Sequence, residues 1–322
     1  MSSLNCLSNF IWKITEKLEE NNTMMVKPNL FSWLLISSYE LARLKFSERQ
    51  EERRKVPEKK KKILEVSAKV TKELAKKLGE IDKWLEGLKS ALIKLGYSVI
   101  EVKIRAVTRA IIGTSEKFGQ LPFEVGLCFD PLFNLPFIPA SSIKGAIRDA
   151  YIWLVAEDLQ KKGKRKNEAY KEAENEASYL FGSAGGEGAH VSLVGFTDAY
   201  PIRAGDGGYL LHPDVLTPHY SHARTELDAQ PTPVVHMVIA PGTTFKFLAF
   251  YLKRESEYFM RWKKLTETGL ARVLNRSGSL DPRSSLMLIR AMIYAFLRGV
   301  GAKTTVSYSR FHLMSLNEVR EE

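Results

Sequence analysis

A change of hydrophobic period at Tyr97 constrains this chain more than any other feature. Between Lys59 and Tyr97, apolar residues fall at Ile63, Val66, Val70, Leu74, Leu78, Ile81, Leu85, Leu88 and Leu92. Steps of three and four draw one apolar stripe along a helix. The opposite face carries Lys69, Lys72, Lys76, Lys77 and Lys83. From Ser98 to Thr108 the chain alternates instead. Val99, Glu101, Lys103 and Arg105 fall on one side, and Ile100, Val102, Ile104 and Ala106 on the other. A period of two, rich in β-branched residues, predicts a strand with one buried face. Residues 1–96 are therefore expected to form a helical extension, with a solvated connector near 43–62 interrupted by Pro57. Residues 97–322 are expected to form a second domain. The stripe Ile63–Leu92 must be buried, on the chain's own core or on an adjacent subunit.

The second domain mixes both element types. A loop rich in Gly, Pro and Asp runs from Gly113 to Pro139. Ser141 or Ser142 is expected to cap a helix with Ile143, Ile147, Tyr151 and Leu154 on its apolar face. A charged run, Lys161–Asn175, leads to a short helix ending near Phe181-Gly182, and Val191–Thr197 reads as a strand. Val234–Ala240 and Thr243–Leu252 are strand-like and joined by Pro241-Gly242, which predicts a hairpin. A helix from about Pro282 to Arg298 is expected to bury Leu286, Ile289, Ile293, Phe296 and Leu297. A last strand is expected over Thr304 to Leu313. This order fits an α+β chain with a ferredoxin-like (RRM-like) βαββαβ core carrying long insertions.

Charge narrows the function. The 322 residues carry 48 Lys+Arg against 37 Asp+Glu, a net charge of +11. That excess favours a polyanionic partner, nucleic acid before acidic protein or membrane. The two cysteines, Cys6 and Cys128, argue against a disulfide scaffold and fit a reducing, cytoplasmic setting. No apolar run reaches the roughly 18 residues of a membrane span. Lys13, Glu16 and Lys17 break the apolar residues near the N-terminus, so no signal-peptide pattern is seen there.

Two motifs suggest where the polyanion binds. In Arg298-Gly299-Val300-Gly301-Ala302-Lys303-Thr304-Thr305-Val306-Ser307-Tyr308, a glycine pair, a lysine and hydroxyls follow a helix. Glycines permit positive φ, and successive N–H groups in such a turn can cradle a phosphate. The spacing does not match a Walker P-loop, and a helix C-cap explains Gly299 without any ligand. The second motif is Phe137-Ile138-Pro139-Ala140-Ser141-Ser142-Ile143-Lys144-Gly145-Ala146-Ile147-Arg148. A helix N-terminus attracts phosphate, and Lys144 and Arg148 share one face at i, i+4. Gly145 sacrifices about 1 kcal/mol of helix propensity, which close approach of RNA or of the glycine turn would explain.

Together these motifs resemble the RAMP superfamily of CRISPR proteins. The segments Asp214–Tyr220, Pro231–Val235, Pro241–Phe245 and Gly299–Tyr308 narrow the resemblance to the family of sixth subunits of type III-B Cmr effector complexes. It covers roughly residues 97–313. It implies a non-catalytic ribonucleoprotein subunit for antiviral defence, near the 3′ end of the guide (crRNA), which helps splay the guide–target RNA duplex. Its implied neighbours are the repeated backbone subunit and another RAMP subunit. No cofactor or metal is implied. The implied RNA-binding residues are Ser141, Ser142, Lys144, Arg148, Gly299, Gly301, Lys303 and Thr304, with His219 and Tyr220 available to stack on a base or ribose. A protein that holds a variable guide must contact backbone rather than base edges. Ser307 and Ser309 stand where the family's loop usually has further glycines.

Three alternatives stay open. His212, Asp214, His219 and His222 lie close in sequence, but Pro213 and Pro218 interrupt them and the spacing fits no common zinc pattern. An RNA-cutting RAMP enzyme needs a general base, yet no histidine precedes His190, and Asp130 reads as a turn residue. A protein-only scaffold would use the basic face on an acidic partner.

Overall fold

The computed structural model describes residues 29–116, 118, 123, 125–183, 189–216, 233–252 and 282–319, the side chains of 282–285 apart. In chain order the helices and strands discussed are α1 (Leu30–Lys45), α2 (Gln50–Arg54), α3 (Val56–Leu74), α4 (Leu78–Lys94), β1 (Tyr97–Ala106), β2 (Phe129–Asp130), β3 (Leu135–Pro136), α5 (Ala140–Lys161), α6 (Lys166–Phe181), β4 (Val194–Phe196), β5 (Tyr200–Arg203), β6 (Leu211–Leu216), β7 (Val234–Ile239), β8 (Thr244–Leu252), α7 (Pro282–Arg298) and β9 (Phe311–Val319). They gather into two compact units, each built from three stretches of chain. Among the described residues, no helix is long and apolar enough to cross a membrane.

The sheet unit comprises Leu78–Ile112, Phe137–Arg203 and the chain from Pro241 onward. Its antiparallel sheet runs β9–β1–β8–β4, and β5 also pairs with β8. With β4 and β5 taken as one interrupted strand, the order is fourth, first, third, second, as a ferredoxin-like core requires. Neighbouring residues on a strand face opposite ways. On β8, Phe247 meets Phe296 of α7 (ring centroids 5.9 Å apart), whereas Lys246 reaches Asp82 and Glu86 of α4. The sheet is thus covered on both faces. For β1 this corrects the expectation of one buried face, since Val99, Glu101, Val102 and Ile104 are all buried. Leu78, Ile81 and Leu85 of α4 are buried as well, so this part of the stripe packs on the chain's own sheet.

The α4 side holds a layer of six charged groups. The Lys246 side chain is buried. Its Nζ lies 2.9 Å from Asp82 Oδ1 and 3.2 Å from Glu101 Oε2, and it also pairs with Glu86. Lys89 Nζ lies 3.1 Å from Glu101 Oε2 and pairs with Glu86, and Lys103 Nζ lies 3.1 Å from Glu101 Oε1. Three cations meet three carboxylates, so no charge in the layer is left uncompensated, which is the condition for burying charge at all. Burial pushes the Glu101 carboxyl up, but hydrogen bonds from Lys103 and Lys89 and the charge of Lys246 outweigh it and hold the pKa at about 2.

The other unit comprises the described residues up to Lys77, Gly113–Pro136 and Ala204–Ala240. Asn29 caps α1, its Oδ1 accepting from Ser32 N–H at 2.8 Å, and Asn134 Oδ1 accepts from Leu30 N–H at 2.8 Å. Helix α3 buries Ile63, Leu64, Val66, Val70 and Leu74. Strands β6 and β7 form a separate antiparallel pair, from Leu211↔Ile239 to Leu216↔Val234.

Several expectations need correction. The boundary expected at 96/97 falls instead between Lys77 and Leu78, because α4 packs with the sheet. A 3₁₀ turn at Ala75–Lys77 divides the apolar stripe there. The charged connector near 43–62 is largely helical: Pro57 lies in the first turn of α3, where its missing N–H is not needed. Val234–Ile239 and Thr244–Leu252 do not form a hairpin. The chain passes from one unit to the other at Pro241-Gly242; β7 pairs with β6 and β8 with β1. The expected strand Val191–Thr197 is confined to Val194–Phe196, and the last strand starts at Phe311 rather than Thr304. On α7 the buried residues are Met287, Leu288, Ala291, Met292, Ala295 and Phe296, while Leu286, Ile293 and Leu297 are exposed. From Leu286 this helix is apolar almost all round, so period alone does not fix its phase.

Candidate nucleic-acid interface

Helix α5 begins one residue before the serines expected to cap it. Pro139 is the N-cap residue and makes no side-chain cap. Asp198, brought close by the Ile138↔Ala199 bridge, accepts from Ala140 N–H at 2.7 Å. Ser141 and Ser142 therefore sit inside the first turn, Ser141 exposed and Ser142 half-buried. Lys144 and Arg148 follow on one face. Among the described residues neither has a carboxylate partner. Burial lowers the pKa of the Lys144 amine, and the nearby charge of Arg148 lowers it further. Around Gly145 a Cβ would meet nothing within 4 Å. The glycine turn does not pack there, so that part of the expectation fails and the helix surface at Gly145 is open.

The glycine turn is held together mainly by its own chain. Gly299 (φ 112°) ends α7, its N–H donating to Ala295 O. Val300 N–H donates to Ser309 O at 2.9 Å and Ala302 N–H to Ile111 O at 2.8 Å. A Cβ on Gly301 (φ 126°) would stand 2.5 Å from Ile111 O, so the glycine is required by close packing of two loops. Two of the turn's N–H groups are thereby bonded within the chain itself. The amides of Gly301, Lys303 and Thr304 are not used in these loop bonds. Lys303 is exposed, and the methyl of Thr304 packs on Gly299.

Two serines of the turn adopt a backbone conformation that glycine favours. Ser307 and Ser309 have φ of 69° and 58°, in the left-handed region that glycine favours. The fully buried Ser309 compensates through its hydroxyl. Its Oγ accepts from Ile111 N–H at 3.0 Å and lies 3.2 Å from Ala302 O. Its backbone N–H donates to Arg109 O at 2.8 Å.

Pairing between α5 and α7 sets both motifs at one end of the helix layer. Arg298 Nη1 lies 3.7 Å from Asp149 Oδ2, Arg290 Nη1 lies 3.8 Å from Asp158 Oδ2, and Trp153 stacks on Tyr294 at 4.7 Å. Rising numbers on α5 meet falling numbers on α7, so the helices are antiparallel. Residues ahead of Asp149, including Lys144 and Arg148, lie toward the end where the chain leaves α7 for the glycine turn.

Sequence reasoning missed Arg109, whose guanidinium lies over the Tyr308 ring at 5.8 Å, and the exposed Arg105 and Arg310 nearby in sequence and pairing. Alternation on β1 and the residues flanking Tyr308 were the available signals. His219 and Tyr220, and the His219 and His222 of the conceivable metal group, lie outside the described residues. His212 lies on β6 with Nδ1 2.7 Å from Pro213 O. Asp130 Oδ1 accepts from Leu132 and Phe133 N–H at 2.8 and 3.1 Å, a local turn.

Comparison with known proteins gives concordant results. Residues 103–312 match the RAMP superfamily. The chain is 36% identical over 266 residues to the CRISPR system CMR subunit Cmr6 of Saccharolobus solfataricus, covering 82% of this chain and 76% of that protein. A chain in the cryo-EM structure of the type III-B Cmr-beta complex bound to cognate target RNA superposes with a TM-score of 0.60 and 30% identity, over 97% of this chain and 99% of that one.

Proposed function

This chain belongs to the RAMP superfamily, alongside Cmr6, and from that premise we propose that it is a non-catalytic guide-RNA-binding subunit of a type III-B Cmr effector complex. In this reading the guide's phosphates lie across one end of the helix layer, near the 3′ end of the guide. Lys144 and Arg148 hold them from α5, and Lys303 and the amides of Gly301 and Thr304 hold them from the glycine turn. The target RNA is recognised by base pairing to the guide, and the chain assembles with the repeated backbone subunit and a neighbouring RAMP subunit. One observation carries the reading: the antiparallel α5–α7 pair sets Lys144 and Arg148, cations without a carboxylate partner among the described residues, toward the end of the layer where the glycine turn begins. Cations kept without acidic partners suit a ligand that supplies the negative charge.

The test is guide-RNA binding by the triple variant Lys144→Ala, Arg148→Ala, Lys303→Ala over a salt series. If each cation meets one phosphate, the slope of log affinity against log salt falls by about two in magnitude. An unchanged slope at wild-type affinity rejects the reading. Binding of an acidic protein in place of RNA would favour the scaffold alternative.

A further inference from the structure

One row of residues crosses the sheet on the side that carries α4. The strand register makes Thr244 of β8 the partner of both Arg203 on β5 and Arg105 on β1, and Arg105 the partner of His312 on β9. Register partners share a side of the sheet, and Thr244 lies two positions from Lys246, which faces α4. The row Arg203–Thr244–Arg105–His312 therefore spans four strands, at the end of the sheet where β1 finishes. A register shift in β9, between the partners of Lys103 and Ile104, sets His312 rather than Leu313 opposite Arg105. Arg203, Arg105 and His312 are exposed, and Thr244 is half-buried. The pairing continues past the row. Val107 N–H donates to Arg310 O at 2.9 Å, and both of these side chains are exposed.

Cations on this side of the sheet are treated in two ways. Lys246 and Lys103 are each met by carboxylates. At the end row, no carboxylate among the described residues pairs with Arg105, Arg203 or Arg310. Neighbouring strands stand about 5 Å apart, so the backbones at Arg203 and Arg105, with β8 between them, are about 10 Å apart. Guanidiniums spread along a row suit a chain of phosphates better than a single anion, because each planar fork can take two oxygens of one phosphate.

We infer that this row is a second RNA-binding surface. A single-stranded stretch of the bound RNA crosses the end of the sheet, with its phosphates on Arg203, Arg105 and Arg310 and its riboses or bases against Val107 and His312. The inference rests on the guide-RNA reading above but uses none of the residues of that reading. Helix α5, which carries Lys144 and Arg148, pairs with α7, and α7 packs on the other side of the sheet. The glycine turn links the two surfaces, because Arg310 directly follows Ser309, whose carbonyl accepts from Val300 N–H. On this path the RNA passes from Lys303 to Arg310 and on to the row. Apolar and aromatic groups set among cations favour RNA over an acidic protein, since RNA alternates phosphates with sugars and bases.

The test measures binding of an oligouridine of about twelve nucleotides to the full chain over a salt series. The row variant Arg105→Gln, Arg203→Gln, Arg310→Gln keeps side-chain bulk, and thermal melting checks that it is folded. It is compared with the Lys144→Ala, Arg148→Ala, Lys303→Ala variant. At about 100 mM salt the row variant is expected to bind at least about tenfold more weakly than wild type, with the slope of log affinity against log salt lower by about two in magnitude. A variant combining both sets is expected to lower the slope by about four, because the two surfaces hold different phosphates. An oligouridine carrying 4-thiouridine is expected to crosslink to peptides containing Val107 or His312, in wild type and in the lysine variant alike. If the row variant does not fold, this crosslink in wild type decides. Wild-type affinity and slope in the row variant overturn the inference, and weakened binding by the lysine variant then leaves the guide-RNA reading intact. Failure of wild type to bind RNA overturns both. A row variant that binds RNA normally but no longer associates with partner subunits assigns the row to an acidic protein surface and overturns the inference.

Discussion

Ser309 shows how much one hydroxyl can do at a left-handed backbone position. Its backbone sits in the left-handed region, at a cost of roughly 1–2 kcal/mol for a residue with a Cβ. Its Oγ meets Ile111 N–H and Ala302 O in a fully buried setting. Ser309→Ala keeps the strain and orphans Ile111 N–H, so it is expected to destabilise the chain by about 1–3 kcal/mol, measured by denaturant unfolding. Gly301→Val forces a β-branched residue to positive φ against Ile111 O and is expected to cost about 2 kcal/mol or more. Its effect on RNA should follow from disorder of the turn, so binding and melting temperature are expected to fall together. Binding lost at an unchanged melting temperature would mean that the added side chain blocks the phosphate from the Gly301 amide. At this scale the sequence was informative about residue type but not about partners. Gly301 and Ser309 could be picked out, but their partners Ile111 and Arg109 lie almost 200 residues earlier.

At the level of elements, the charged layer between α4 and the sheet sets an acid limit on stability. Glu101 has a folded pKa of about 2 against an ordinary 4.5. A depressed carboxyl stabilises the fold at pH values above its unfolded pKa, and that contribution is lost as pH falls through the folded value. Melting temperature is therefore expected to drop between about pH 4.5 and pH 2, and Glu101→Gln should flatten that part of the profile. Lys246→Met removes the cation shared by Asp82, Glu86 and Glu101 and is expected to cost about 3 kcal/mol at neutral pH, read by denaturant unfolding. The strand β1 and the helices α3 and α4 were legible from period, because each has a long patterned run. The partnership of β7 and β8 was not. Pro241-Gly242 is good turn chemistry, but a turn does not say which strand comes alongside. Nor could alternation reveal that the Glu101 face of β1 is covered, since cations from α4 and β8, with Lys103 of β1 itself, make a buried carboxylate tolerable there.

Across the whole molecule, the mix of strands and helices was readable because patterned helices separate β1 from β4 and β8 from β9, and net charge pointed to a polyanion. The division into two interleaved units was not readable, since each draws on three separated stretches and the turn residues at the crossings look like those of any loop. That division has a kinetic consequence. The glycine turn is secured by contacts such as Ser309 to Ile111, which span 198 residues of sequence. Contacts of such separation carry a large loop-closure penalty and are expected to form after local structure. Ser309→Ala should then raise the unfolding rate and leave the folding rate nearly unchanged, a result that stopped-flow chevrons can test. On this account the turn is assembled late and opens early, so bound RNA would act as a clasp that slows the chain's unfolding.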